Sequence, residues 1–163
     1  METQISKITT VINYNRVIEI IQEAGIVLLD RFNKRNSRHL EGVDIGYVKE
    51  KTEKELVIRE DLISQDIVIN GIKEFDPDAV IYSEELNNVH LLQEDRNEVK
   101  FILDPLDGTH NFYFGMPYWG IGLAVLDKHN ESIAGFIYLP ALNIFIKNEG
   151  NNSSTLLKNG TNW

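Results

Sequence analysis

The chain contains no cysteine. That excludes disulfide bonds, thiolate nucleophiles and cysteine-held zinc or iron–sulfur centres. Basic residues are scarce, with 16 lysines and arginines against 25 aspartates and glutamates and a net charge of −9. A nucleic-acid backbone is therefore not the expected partner. No apolar run approaches the ~20 residues of a membrane-spanning helix. The polar stretch Met1–Thr10 lacks the apolar core of a signal peptide. A soluble cytoplasmic protein without a membrane partner is the expectation. There are only 4 prolines, and no repeat, low-complexity tract or interior linker interrupts the 163 residues. With 42% apolar and 25% charged residues, residues 1–163 are long enough for a single domain with a sizeable core.

The first half has helical periodicity. Val17, Ile21, Ala24, Leu28 and Phe32 recur at three- and four-residue steps and predict a helix from about Asn15 to Phe32. Asn13 or Asn15 could cap it. Asn33–Asp44 is polar and basic and reads as a loop. Lys54–Ile58 suggests a short strand leading into a helix from about Glu60 to Phe75, whose apolar residues fall nearly all round the wheel. Asp76-Pro77-Asp78 ends it. Short β-like runs follow at Ala79–Ser83, Val99–Asp104, Trp119–Asp127, Ser132–Leu139 and Asn143–Lys147, with turn signals between them, including Glu149–Ser154. Two helices followed by strands in hairpin-like succession predict an α+β fold on a largely antiparallel sheet.

The densest chemical signal is Asp104-Pro105-Leu106-Asp107-Gly108-Thr109-His110-Asn111-Phe112. Asp104 ends a buried-type strand, and Pro105 fixes φ so that the chain turns there. The Leu106 carbonyl and the Asp107 carboxylate can then point to the same side as Asp104. That inventory of oxygens suits a hard divalent cation. Gly108 permits close approach of the backbone, and the turn opened by Gly108 and Thr109 offers N–H groups to an anion. Glu84-Glu85 lies twenty residues upstream and could supply another carboxylate. Taken singly, Asp-Pro and Asp-Gly are ordinary turn dipeptides. Glu84-Glu85 alone reads as a solvated pair, and Asp61 as a charge favoured near a helix start. His110 reads as a packing or surface residue, and His39, His90 and His129 as solvated. Phe112, Tyr113, Phe114, Tyr118 and Trp119 read as core or subunit contact.

The joint pattern resembles the inositol monophosphatase family of Mg²⁺-dependent, lithium-sensitive phosphatases. Residues 104–112 match the family signature Asp-Pro-(Leu/Ile)-Asp-Gly-Thr-x-Asn-Phe throughout, and Gly115-x-Pro117 follows. Tyr82-Ser83-Glu84-Glu85 is similar to the family's Gly-Glu-Glu segment, and Lys54–Asp61 to its Asp-Leu-Val-Thr-x-x-Asp segment. The resemblance implies the N-terminal half of the family's αβαβα sandwich. It implies Mg²⁺ as cofactor, with Glu84, Asp104 and the Leu106 carbonyl at a first metal and Asp104 and Asp107 at a second. Gly108 and Thr109 would receive the phosphate. Glu84, Asp61 and Thr109 would be catalytic, Thr109 oriented by Asp61 to position a metal-bound water. The implied substrate is a small polyol or sugar phosphate such as inositol 1-phosphate or fructose 1,6-bisphosphate, and the implied assembly a homodimer. Leu106 and Gly115-x-Pro117 look somewhat like archaeal and bacterial dual-specificity members.

The chain departs from the family in three places. Ile58 stands where the family has a threonine, which removes a hydroxyl near the metal site. Ser83 replaces the glycine before Glu84. The second half of the family, with a Trp-Asp motif whose aspartate completes the second metal site, has no counterpart here: Trp119 precedes glycine and Trp163 ends the sequence. The expectation is a truncated or shortened relative, with apolar sheet surface left uncovered. The alternative to an active phosphatase is a remnant that binds Mg²⁺ or a partner without turnover.

Overall fold

The computed structural model describes residues 12–40, 48–52, 55–86, 88, 99–150, 154–158 and 161–162. Helix α1 spans Tyr14–Leu40. Asn13 caps it: its Oδ1 accepts the Arg16 N–H at 3.2 Å and its carbonyl accepts the Val17 N–H at 3.1 Å. Asn15 lies inside the helix. Val17, Ile21, Ala24, Leu28 and Phe32 are buried, as their spacing predicts, and Ile20 joins them. The helix runs eight residues beyond Phe32, through much of the stretch expected to be a loop. No glycine or proline stops it, and tertiary partners hold the extension. Arg35 is buried at 7% exposure, lies over the Tyr113 ring at 4.9 Å and approaches Glu60 at 3.9 Å.

Strands β1 (Val48–Thr52) and β2 (Glu55–Ile58) form an antiparallel hairpin. Only β2 has a counterpart in the sequence reading. Helix α2 (Arg59–Phe75) starts directly after it. Asp61 reaches back to accept the Ile58 N–H at 2.7 Å, which is half of a capping box. Ile58 has no side-chain oxygen to reciprocate. The buried face of α2 is polar in its first half, with Glu60, Asp61, Ser64 and Gln65, and apolar only later, with Val68 and Ile72. Leu62 is exposed. The all-round apolar pattern therefore hides a buried polar stripe.

The main sheet has seven strands in sequence order: β3 (Val80–Ser83), β4 (Lys100–Asp107), β5 (Gly120–Leu126), β6 (Ser132–Leu139), β7 (Ile144–Glu149), β8 (Ser154–Lys158) and β9 (Thr161–Asn162). β3 and β4 run parallel, and every other neighbouring pair is antiparallel. The largely antiparallel α+β expectation holds. β8 and β9 lie beyond the strands read from the sequence. β4 continues three residues past its expected end. It does not turn at Pro105: Asp104 pairs with Gly122 and Asp107 with Gly120, so β4 carries one extra residue there. This is a bulge, which tolerates the missing proline N–H. The turn comes at Gly108, followed by a short third helix, α3 (Thr109–Tyr113).

Helices α1 and α2 cover one face of the sheet, burying Phe101, Leu103, Ile121, Leu123, Val125 and Phe136. Gly25 lets α1 lie against β6, because a Cβ there would strike the Tyr138 ring and Pro140. The expected aromatic cluster divides. Phe112 and Trp119 join Phe32 in the core, with ring centroids 4.9–5.4 Å apart. Phe114 and Tyr118 are 64% and 65% exposed. The opposite sheet face, where Ile102, Ala124, Ile137 and Ile146 surround Gly122 and Gly135, opens into an apolar groove of about 500 Å³. This agrees with the expectation of uncovered sheet surface. Among the described residues no helix is long and apolar enough to cross a membrane.

Candidate active site

The site forms where β3 and β4 end side by side. The two strands are parallel and pair as far as Ser83 and Leu103, so Glu84 and Asp104 both follow at the same edge. Glu84 opens a one-turn 3₁₀ segment, Glu84–Leu86. Across the bulge, Asp107 precedes Gly108, whose φ of +81° is left-handed. A Cβ on Gly108 would lie 2.8 Å from the Tyr118 carbonyl. Asn111 fixes that same carbonyl by donating to it from Nδ2 at 2.6 Å. Sequence reasoning gave Asn111 no role, although it belongs to the signature.

Asp61 enters from the first turn of α2. Its Oδ1 lies 3.1 Å from Thr109 Oγ1, which in turn lies 3.0 Å from the Leu106 carbonyl. Thr109 has one hydroxyl proton and two acceptors within reach. When Asp61 is ionised, Thr109 can donate to it. When Asp61 is protonated, it can donate to Thr109, whose own proton then goes to Leu106. Asp61 is only 2% exposed, and burial pushes its carboxyl up to about 7 despite the opposing Ile58 N–H and Thr109 hydroxyl.

Asp104 is half-buried and accepts the Leu106 N–H at 3.2 Å. Burial, and then the neighbouring charges of Glu84 and Asp107, push it up to about 6. Glu84 and Asp107 are exposed. Among the described residues no three His, Asp or Glu side chains are gathered as a cage for a metal ion. The donors nonetheless fit a hard cation by their chemistry. Three carboxylates and the Leu106 carbonyl are all oxygens, and the mutual repulsion felt by Asp104 is the kind that a cation relieves.

The structure thus brings Asp61, Thr109 and the Leu106 carbonyl into one hydrogen-bonded unit, with Gly108 next to Thr109 in the chain, and sets Glu84, Asp104 and Asp107 beside it. His110 and His129 are exposed, as expected, while His90 and the His39 side chain lie outside the described residues. Two links were missed in the sequence. The Ser83 hydroxyl donates to Gln65 Oε1 at 2.7 Å, and Asn88 clamps β3 by accepting the Ser83 N–H at 2.9 Å and donating to the Ile81 carbonyl at 3.1 Å. Both join residues whose types alone carry no signal.

A helix-backed mixed sheet with carboxylates at the shared end of its parallel strands, and a left-handed glycine turn beside them, defines an α+β protein whose candidate site lies at its strand ends. The model of the inositol monophosphatase family matches residues 9–160, and the chain belongs to that family. It is 30% identical over 132 residues to a fructose-1,6-bisphosphatase/inositol-1-monophosphatase of Aquifex aeolicus, covering 78% of this chain and 45% of that protein. It is 34% identical to the protein of the same description from Thermotoga maritima, covering 77% of this chain and 43% of that one. A solved Thermotoga maritima IMPase superposes with a TM-score of 0.68 at 28% identity, over 91% of this chain and 51% of that one. The suhB protein of Bartonella henselae, at 22% identity and a TM-score of 0.71, shares the fold. The chain spans about half the length of the curated relatives it matches.

Proposed function

We propose that this chain carries the metal- and phosphate-binding half of a Mg²⁺-dependent phosphomonoesterase acting on a small polyol or sugar phosphate. Inositol 1-phosphate and fructose 1,6-bisphosphate are the leading substrates, supported by the names of the Aquifex and Thermotoga relatives. The observation that carries the reading is the Asp61–Thr109–Leu106 unit, with bonds of 3.1 and 3.0 Å, beside Asp104. Glu84, Asp104, Asp107 and the Leu106 carbonyl would hold Mg²⁺. Mg²⁺, when bound, supplies Lewis acidity at the phosphoryl oxygens and makes water a better nucleophile near neutral pH.

The chain's own residues do the rest. Ionised Asp61 accepts a hydrogen bond from the Thr109 hydroxyl, which leaves lone pairs on Thr109 Oγ1 to orient an approaching water. Without a Cβ, Gly108 lets the phosphate approach the N–H groups that open α3. In the same reading, residues 1–163 form one unit of a cytoplasmic, lithium-sensitive homodimer.

A second reading is Mg²⁺ or partner binding without turnover. Phosphate release from the two substrates, with and without Mg²⁺, separates them. Turnover that requires Mg²⁺ and vanishes in Asp104→Asn supports the first reading. A folded, Mg²⁺-binding but inert chain supports the second.

A further inference from the structure

We propose that Gln65 is a positioning residue: through its buried hydrogen bond to Ser83 it fixes the β3 end from which Glu84 projects. The proposal rests on the reading of Glu84 as a metal ligand. Gln65 and Ser83 are 6% and 0% exposed, and the Ser83 hydroxyl donates to Gln65 Oε1 at 2.7 Å. Neither group is a surface decoration, since a buried polar pair persists only when each satisfies the other.

Gln65 stands one helical turn after Asp61, on the same face of α2. One turn of α2 therefore holds both sides of the site. Asp61 grips Thr109 on the β4–α3 side, and Gln65 grips Ser83 on the β3 side. The Ser83 main chain is held separately by Asn88 at 2.9 Å and by pairing with β4. The hydroxyl bond thus adds a tie to α2 that the main chain does not provide. Partners that orient metal-ligating side chains in this way typically contribute about 10- to 100-fold to metal affinity.

The test is a calorimetric Mg²⁺ titration of the full chain, with thermal unfolding in EDTA confirming that each variant is folded. The variants are Gln65→Met, Ser83→Ala, Ser83→Thr, the double Gln65→Met/Ser83→Ala, and Glu84→Gln. Gln65→Met and Ser83→Ala should each weaken Mg²⁺ binding about tenfold. The double variant should lose no more than either single one, because both remove one bond. Ser83→Thr, which keeps the hydroxyl, should bind as the parent does. If Glu84→Gln weakens binding while Gln65→Met and Ser83→Ala do not, the positioning role is wrong and the metal reading stands. If Glu84→Gln leaves affinity unchanged, or the parent binds no Mg²⁺, the metal reading is wrong and the proposal falls with it. Should Gln65→Met fail to fold, equal affinities in Ser83→Ala and Ser83→Thr overturn the proposal.

Discussion

Asp61 and Thr109 are 48 positions apart in the sequence and meet at 3.1 Å, where the buried first turn of α2 faces the turn that opens α3. The pair ties a helix start to a helix start. It also fixes which proton Thr109 can share, so the charge on Asp61 sets the state of the whole turn.

That charge makes stability depend on pH. The Asp61 carboxyl is raised from 3.8 to about 7 by burial. The folded state therefore holds the proton more tightly than the unfolded chain. The resulting stabilisation is complete below the unfolded value and is lost as pH rises towards 7. Asp104, raised to about 6, acts with the same sign. In EDTA, stability should fall between about pH 4 and 7, with at most ~4 kcal/mol from Asp61. Asp61→Asn should flatten this slope and be more stable than the parent at pH 8, as measured by urea unfolding across pH. Equal slopes in the two proteins would contradict the burial argument.

Asp104 is flanked by Glu84 and Asp107, and a divalent cation would relieve their repulsion. Asp104→Asn should abolish Mg²⁺ binding measured by calorimetry. The same variant should be no less stable than the parent in EDTA near neutral pH, because a like charge has been removed. Unchanged Mg²⁺ affinity would remove Asp104 from the ligand set.

Gly108→Ala should destabilise by ~1–3 kcal/mol, since φ is +81° and the added methyl meets the Tyr118 carbonyl. Thermal unfolding should show a Tm lower by roughly 3–10 °C. Gly135→Ala is the control: nothing lies within 4 Å of its Cβ position, and it should stay within ~0.5 kcal/mol of the parent.

Lys100 is 0% exposed, and its Nζ donates to Asn130 Oδ1 at 2.7 Å. Asn130 has φ of 64° in the β5–β6 turn, so Asn130→Gly keeps the backbone while removing the acceptor. It should cost ~1–3 kcal/mol in the parent. In a Lys100→Met background the same change should cost nothing, because no buried donor is left wanting. A double-mutant cycle by urea unfolding checks the coupling.

The core stripe of α1 was legible because it is apolar and regularly spaced. The end of α1 was not, because Arg35 is buried by partners on α2 and α3 rather than by its own character. β1 reads Val-Lys-Glu-Lys-Thr, mostly charged, and its place in a hairpin is set by pairing with β2. On α2 the buried face is polar at its start, so periodicity of apolar residues could not find it. The nonapeptide was legible because its turn chemistry and carboxylates are packed into nine consecutive positions. The link from Gln65 to Ser83 was invisible, since two common polar residues 18 positions apart announce nothing.

Residues 104 and 107 have opposite parity, and along a regular strand their side chains would leave on opposite sides. The extra residue in β4 cancels that difference. Their partners, Gly122 and Gly120, are an even step apart on β5, so the two aspartates emerge together. The spacing of the signature is thus an arithmetic requirement as well as a chemical one. Deleting either Pro105 or Leu106 would regularise the ladder and still leave both aspartates on one face, now two residues apart, but without the bulge and its extra peptide between them. It is the three-residue spacing of the two aspartates that makes the bulge necessary.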